Sequence, residues 1–184
     1  MTTGVLWLFT PNMQRITILG SPGSGKSSLA RRLAEPLCLP IIHLDTLYWR
    51  PGWIESDQAM FRRLVAEAAL GERWIMDGNY SHCLDMRLPR TDTVIILDCP
   101  RWLCLYRVVR RAIAFSGRTR PDMADGCPEK VDWQFLKYVW RYQAEHTQAR
   151  NAKIAEFGGH TRIVRLKSPR DITAFVDGVL KSAA

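Results

Sequence analysis

Short apolar runs alternate with longer amphipathic segments along most of the chain. The apolar runs are continuous and rich in β-branched residues, a pattern typical of strands that are buried on both faces of a parallel sheet. They predict five strands, at residues 16–19, 40–44, 74–76, 93–97 and 161–166. The other segments have helical periodicity and predict helices at residues 26–35, 56–70, 101–115, 131–157 and 169–181. This alternation predicts an α/β fold in which helices cover both faces of one parallel sheet.

Local signals define where several of these helices begin and end. Ser56 precedes the second predicted helix and is its expected N-cap, and Pro100 suits the start of the third. The pattern over residues 131–157 has a polar middle, so one long helix and a broken helix both stay open, each ending at Gly158-Gly159. Glycine and proline punctuate residues 117–128, which predicts a mobile loop there.

Length and composition indicate one globular domain. The 184 residues are 47% hydrophobic and 24% charged, which excludes collagen-like, coiled-coil and disordered classes. We expect this domain at residues 13–184, after an extension at residues 1–12 to which no role is assigned. No apolar stretch approaches the roughly 20 residues that span a bilayer, so no membrane partner is expected. Five cysteines without a C-x-x-C pair argue against disulfides or zinc and predict a cytoplasmic protein.

The basic charge of the chain predicts an anionic ligand. The formal net charge is +8, and 20 of the 26 basic residues are arginine, whose planar fork suits phosphate and carboxylate groups. Six arginines lie between residues 101 and 120, where no acidic residue occurs. Arg107 and Arg111 are one helical turn apart, so they can act together on one phosphoryl group, and Arg118 and Arg120 follow in the loop. A solvated basic face is the alternative interpretation.

The segment Gly20-Ser-Pro-Gly23-Ser-Gly25-Lys26-Ser27 fits the pattern G-x-x-x-x-G-K-[ST] between a predicted strand and a predicted helix. Such a loop directs backbone N–H groups and a helix N-terminus at phosphates, while Lys26 reaches the β- and γ-phosphates and Ser27 binds Mg²⁺. The pattern therefore predicts ATP and Mg²⁺ as cofactors. The ATP-binding residues we expect are Gly20, Ser21, Pro22, Gly23, Ser24, Gly25, Lys26, Ser27 and Ser28.

Three aspartates follow predicted strands at the edge where ligands bind in open α/β sheets, namely Asp45, Asp77 and Asp98. Each is a candidate for holding hydrated Mg²⁺, and each is also a residue type that caps helices and forms turns. After Asp45, the aromatic residues Tyr48, Trp49 and Trp53 interleave with Arg50. They suit stacking on a planar acceptor whose anion Arg50 holds, or a hydrophobic hinge for the next helix, and both interpretations stay open.

Beyond these separate motifs, the sequence resembles the nucleoside monophosphate kinase superfamily. Within it, the resemblance is greatest to the bacterial DNA topology modulation proteins, which are adenylate-kinase-like P-loop proteins. It extends from Arg15 to about Leu180 and rests on the stretches GSPGSGKSSLARRLA, IIHLDTLYWRPGW, WIMDGNY, RLPRTDTVIILDCPRWLCLYRVVRR and GRTRPDMADGCPEKVDW.

The resemblance implies a three-layer P-loop fold with strand order 2-3-1-4-5, a small lid at about residues 117–128 and an acceptor-side region at about residues 46–73. Arg107 and Arg111 match the paired arginines before the lid, Arg141 matches a further phosphate-contacting arginine, and Asp77 matches the aspartate that anchors a Mg²⁺-bound water. The Thr-Gly-Asp acceptor motif of adenylate kinases is replaced here by Asp45-Thr-Leu-Tyr-Trp, so the acceptor stays unidentified.

Two functions follow from these residues. The first is a Mg²⁺- and ATP-dependent phosphotransferase, in which Lys26, Arg107, Arg111 and Arg141 stabilise the transferring group and Asp45 orients the acceptor. The second is a nucleotide-gated DNA-binding protein that affects DNA topology and hydrolyses ATP slowly through the same loop. The chain contains no recognisable nucleic-acid-binding module.

Overall fold

A five-stranded sheet forms the centre of the protein, in a computed structural model that describes residues 13–183. The predicted extension at residues 1–12 lies outside the described residues. In chain order the elements are β1 (Arg15–Gly20), α1 (Lys26–Leu37), β2 (Ile41–His43), α2 (Leu44–Tyr48), β3 (Trp49–Arg50), β4 (Ile54–Glu55), α3 (Gln58–Ala69), β5 (Trp74–Asp77), α4 (Leu84–Arg87), β6 (Thr93–Leu97), α5 (Arg101–Ala114), α6 (Trp133–Phe157), β7 (Arg162–Leu166) and α7 (Pro169–Ala183). Short 3₁₀ turns flank α4 at Ser81–Cys83 and Leu88–Arg90.

The sheet is entirely parallel, and its strands are ordered β2-β5-β1-β6-β7. These are the five strands that the sequence predicts, and their order is the 2-3-1-4-5 order that the family resemblance implies, so both predictions are confirmed. In the register, Ile18 of β1 pairs with Asp77 on one side and Ile95 on the other. The carboxyl ends of the three central strands therefore lie side by side, and this edge carries the functional site.

Alternate residues of the central strands pack on opposite faces of the sheet, because strand side chains have a period of two. On one face, Ile16 and Ile18 join a large core with α1, α5 and α7, in which Leu33, Val108 and Phe175 are fully buried. On the other face, Leu19 and Ile96 pack against α4 and the second half of α6. The sheet is thus covered on both faces, as the continuous apolar runs predict.

One predicted strand differs in detail from the observed one, and one alternative that the sequence left open is resolved. The last strand, β7, is an edge strand that alternates: Val164 and Leu166 are buried, while Ile163 and Arg165 are exposed. Helix α6 is one unbroken helix of 25 residues, which resolves the alternative that the sequence left open. Within residues 13–183, none of the helices is both long enough and apolar enough to cross a membrane.

The N-cap of α3 is Asp57 rather than the expected Ser56. The Asp57 carboxylate accepts a hydrogen bond of 2.9 Å from the Met60 backbone N–H, which satisfies one of the free donors of the first helical turn. The Ser56 hydroxyl instead donates to the Leu47 carbonyl at 3.3 Å. The Ser56 backbone N–H donates to the Tyr48 carbonyl, so Ser56 extends the short hairpin formed by β3 and β4.

Replacing Asp57 with alanine is expected to lower the free energy of unfolding by about 1 kcal/mol, because the Met60 N–H loses its acceptor. Urea denaturation measures this change, and Gln58→Ala, which removes no cap, is the matched control with an effect within about 0.5 kcal/mol. A larger loss in Ser56→Ala than in Asp57→Ala would contradict the assignment of the cap.

Candidate active site

The predicted phosphate loop lies between β1 and α1 and is pressed against α5. Gly23 has φ 79°, and a Cβ atom built on it would lie 2.3 Å from the Cys104 carbonyl oxygen, so this position accepts only glycine. Gly25 has a left-handed conformation and precedes α1 without a side-chain cap. The first N–H groups of α1 therefore have no side-chain acceptor from Gly25, as an anion-binding helix N-terminus requires.

Lys26 folds back over this loop. Its Nζ donates to the carbonyl oxygens of Gly20 at 2.9 Å and of Ser21 at 3.2 Å. Burial lowers the pKa of Lys26, and the carboxylates of Asp77 and Asp45 partly oppose that shift. The ammonium group is thus held at the loop, within reach of a phosphate bound there.

Asn79 is a loop-positioning residue that sequence reasoning did not single out. Its side-chain amide accepts from the Gly20 N–H at 3.0 Å and donates to the Gly20 carbonyl at 2.8 Å. The buried Arg87 donates in turn to the carbonyl oxygens of Gly78 and Asn79. The loop after β5 therefore fixes the base of the phosphate loop. The DGNY stretch at residues 77–80 was the feature of the sequence that could have indicated this role for Asn79.

Asp77 fits the role of a magnesium-site carboxylate. One oxygen, Oδ2, lies 3.0 Å from His43 Nδ1, whereas the buried Oδ1 has no hydrogen-bond partner within residues 13–183. A buried carboxylate oxygen without a partner, beside Lys26 at a phosphate loop, suits a water of hydrated Mg²⁺. The Ser27 hydroxyl interacts with Asp122, a residue of the loop that follows α5.

Asp45 begins α2 at the end of β2 and faces the same site. The Tyr80 hydroxyl donates to Asp45 Oδ1 at 2.5 Å. Burial raises the pKa of Asp45, while the bond from Tyr80 and the charge of Lys26 act in the opposite direction. The carboxylate is thus a better proton acceptor than an exposed aspartate, as a residue that orients a hydroxyl group requires.

The arginines of α5 point at the loop, but only one of the predicted pair contacts it. Arg107 Nη1 donates to the Ser24 carbonyl at 3.0 Å. Arg111 Nε donates at 2.7 Å to Glu129, and Arg120 Nε donates at 2.5 Å to the other oxygen of the same carboxylate. Glu129 is buried, and no sequence pattern marks it beyond its being the third acidic residue after the arginine run.

Asp122 completes this network of charges. Its carboxylate accepts from Arg120 at 2.6 Å and lies 3.9 Å from Arg31. Burial raises the pKa of Asp122, but Arg120 and the Ser27 hydroxyl outweigh burial, so this pKa lies below its ordinary value. The predicted lid is therefore bonded to both the phosphate loop and α5.

The predicted lid also contacts the β3–β4 hairpin of the acceptor-side region. The Gly52 N–H bonds the Gly126 carbonyl at 2.8 Å, and Trp53 Nε1 donates to the Pro128 carbonyl at 2.9 Å. Together they roof a cavity of about 1300 Å³ that the phosphate loop, Asp45, Asp77, Arg107 and Arg111 all line. Pockets for one small ligand have roughly 300–1,000 Å³, so this cavity has room for two reactants.

Several residues that the sequence singled out lie elsewhere. Arg141 is exposed on α6 and is not part of the cavity wall, and Arg118 and Arg50 are also exposed outside it. Asp98 pairs with Arg150 at 3.2 Å and with Arg165 at 3.3 Å, away from the phosphate loop. The structure therefore groups Lys26, Asp45, Asp77, Arg107 and Arg111, and leaves Arg141 and Asp98 apart.

The aromatic cluster after Asp45 makes the hinge-like contact and also lines the cavity, while stacking on an acceptor held by Arg50 stays a prediction. Tyr48 packs edge-on against Phe61 of α3 at 5.0 Å, which is the hinge-like contact. Trp49 and Trp53, whose rings are 5.3 Å apart, line the cavity. The cluster thus anchors the following helix and forms part of the wall around Asp45.

A scan against known protein families and a search of curated proteins find no match. Among solved structures, the chain is similar to the shikimate kinase from Acinetobacter baumannii in complex with shikimate, with 16% identity, 94% of this chain and 93% of that chain covered, and a TM-score of 0.56. It is also similar to the shikimate kinase from Bacteroides thetaiotaomicron, with 20% identity, coverage of 93% and 98%, and a TM-score of 0.50. These similarities show that the chain shares the α/β fold of these two proteins.

Asp45→Asn is expected to raise the free energy of unfolding at pH 7 by about 1 kcal/mol, because it removes a charge whose burial opposes folding. A raised pKa in the folded state means that the charged carboxylate destabilises the fold above its unfolded-state pKa. The gain should therefore shrink as the pH falls towards and below the ordinary value of 3.8, because at lower pH the group is neutral in both states.

Thermal unfolding of both proteins between pH 5 and pH 8 measures this difference. Asp98→Asn is the matched comparison at the same edge of the sheet, and it should lose stability because the buried Arg150 loses its ionic partner. Equal destabilisation by both substitutions would contradict the conclusion that burial of the charged Asp45 carboxylate destabilises the fold.

Proposed function

We propose that the protein is a Mg²⁺- and ATP-dependent phosphotransferase that acts on a small acceptor. The observation that carries the proposal is that the phosphate loop, a lysine, two carboxylates and two arginines line one roofed cavity. A cavity of this kind places positive groups where phosphoryl transfer concentrates negative charge. The P-loop kinase fold supports the same assignment.

The triphosphate of ATP would lie on residues 20–28. The N–H groups at the start of α1 bind its oxygens, and Lys26 exchanges the loop carbonyls for the β- and γ-phosphates. Ser27 and Asp77 are the residues that would hold Mg²⁺ through its hydration shell, and the ion would neutralise part of the negative charge of the triphosphate.

The acceptor hydroxyl would lie at Asp45. As its oxygen forms a bond to the γ-phosphorus, the bond from that phosphorus to the β–γ bridging oxygen breaks, and ADP leaves with the bonding electrons. The hydroxyl proton passes to Asp45, whose pKa is raised by burial. Tyr80 holds the carboxylate in place through its 2.5 Å hydrogen bond.

Arg107 and Arg111 would stabilise the transferring phosphoryl group. Arg107 contacts the phosphate loop at the Ser24 carbonyl, and a hydrogen bond to Glu129 holds the Arg111 side chain in place. Arginine clamps of this kind act mainly on the transition state, where charge spreads over the equatorial oxygens. Arg141, which the family resemblance assigns to the same task, would have to reach the cavity from an exposed position on α6.

The DNA-binding alternative and the narrower assignment to the DNA topology modulation proteins remain predictions. Four of the six arginines between residues 101 and 120 line the cavity, and two of these, Arg111 and Arg120, are paired with carboxylates. A DNA-binding surface needs unpaired cations on an open face, since its affinity comes from displacing the counterions of the phosphate backbone. This arrangement favours the phosphoryl clamp.

Lys26→Ala tests the phosphate loop directly. We expect ATP turnover to fall by at least about 10²-fold, because a positive charge on the transferring group is lost in a water-poor site. The fold should stay intact, since Lys26 points into the cavity rather than into the core. Release of ADP in a coupled assay measures turnover, and Lys137→Ala, at an exposed position of α6, is the control. Equal turnover in Lys26→Ala and the parent would remove the basis of the proposal.

Arg111→Ala is expected to lower kcat by roughly 10³-fold with little change in the KM for ATP, because the guanidinium acts on the transition state. Arg111→Lys should restore little, since an ammonium group cannot reproduce the bidentate fork. Arg141→Ala, measured in parallel, should lower kcat less, because Arg141 lies outside the cavity wall. Unchanged turnover in Arg111→Ala, combined with weaker DNA association and a shallower salt dependence, would instead support the DNA-binding function.

A further inference from the structure

The outward sides of α5 and α6 carry large apolar side chains that belong neither to the core clusters nor to the cavity wall. Between 40% and 74% of the surface of each of these residues is exposed. They are here called the α5–α6 face, and they are Trp102, Tyr106, Val109, Ile113, Trp133 and Trp140. The Arg101 guanidinium lies 4.2 Å from the centre of the Trp140 ring, so the two helices present one continuous surface.

The α5–α6 face is larger than an ordinary exposed patch. Its six residues together expose roughly 800 Å², given that a whole aromatic side chain has about 150–250 Å². The largest apolar patch of a typical monomer has about 300–600 Å². Each partner in a stable interface contributes about 800 Å². The face therefore has the area that a stable dimer needs.

The four residues of the face that lie on α5 have the spacing of a helix–helix contact. They recur at positions i, i+4, i+7 and i+11, which places them in one stripe centred between residues 107 and 108. In an antiparallel pair of α5 helices related by a two-fold axis at that centre, Trp102 lies opposite Ile113, and Tyr106 lies opposite Val109. Each large ring thus meets a smaller aliphatic side chain, so the stripe is complementary to itself.

The charges of α5 are compatible with this pairing. The helix contains four arginines and no acidic residue, and two of the arginines are the pair that lines the cavity. In the antiparallel register, the exposed Arg101 and Arg110 lie opposite Ala114 and Leu105, so like charges do not face each other. A parallel pair would instead place each arginine beside its own copy, which is unfavourable.

We propose that a second copy of this chain packs on the α5–α6 face, with the two α5 helices antiparallel about a two-fold axis. The tryptophans of α6 extend the contact beside the stripe, because Arg101 connects the two helices at Trp140. The contact buries aromatic and aliphatic surface that the monomer leaves in water. Since none of the six residues lines the cavity, this inference does not depend on the proposed phosphotransferase function.

Sedimentation velocity on the full 184-residue chain tests the proposal. We expect a species of twice the chain mass of 21.1 kDa at about 10 µM and above. Tyr106→Glu should raise the dissociation constant at least about a hundredfold, because it places a charge at the centre of the contact. Leu70→Glu is the matched control, since Leu70 is 66% exposed at the end of α3, and it should leave the dimer unchanged. A monomer at about 100 µM, or equal dissociation by the two substitutions, would overturn the proposal.

Two further variants test the antiparallel pairing. Trp102→Lys and Ile113→Glu should each weaken the dimer, because each places a charge against an apolar side chain of the other copy. Both positions are exposed, so the fold should tolerate the substitutions, which circular dichroism checks. Mixed in equal amounts, the two variants should form a dimer again, because the introduced ammonium group of one faces the introduced carboxylate of the other while the second Trp–Ile pair stays native. A mixture that remains monomeric would overturn the proposed arrangement.

Discussion

The contact between the phosphate loop and α5 is the constraint on which the site depends. Gly23 lies so close to the Cys104 carbonyl that no side chain fits between them. This approach brings the side of α5 that carries Arg107 and Arg111 over the loop, and α5 leads directly into the segment that closes the cavity. One glycine therefore links the anion-binding backbone to the arginines and to the roof.

Ion pairs join the elements that surround the cavity. Glu129 bonds Arg111 and Arg120 together, and Asp122 connects Arg120 to the phosphate loop through Ser27. These carboxylates keep the arginines from repelling one another in a poorly hydrated space. A phosphoryl group is anionic and accepts a bidentate pair of hydrogen bonds from arginine as a carboxylate does, so it can replace Glu129 as the partner of Arg111. The network therefore preorganises the arginines for an anionic ligand.

The sheet, its order and the phosphate loop are predictable because they depend on local patterns. Apolar runs define the strands, and the glycines and Lys26 define the loop from a few consecutive residues. Glu129 and Asn79 were missed because their roles depend on partners far away in the chain, on α5 and at Gly20. The exposure of Ile163 in β7 also depends on distant parts of the chain. The sequence of this strand suggests burial on both faces, but its place at the edge of the sheet leaves Ile163 exposed. Asp57 was missed for a different reason, because two adjacent residues can cap the same helix and the local chain path selects one.

Hydrogen–deuterium exchange with and without MgATP tests the central claim most directly, since it locates the nucleotide on the chain. The account predicts slower exchange for the amides of residues 23–28, because bound phosphate oxygens accept hydrogen bonds from the loop and the start of α1. It also predicts slower exchange for residues 116–130, because the closed segment is stabilised over the ligand. Unchanged exchange in both segments at saturating MgATP, or protection confined to other parts of the chain, would contradict it.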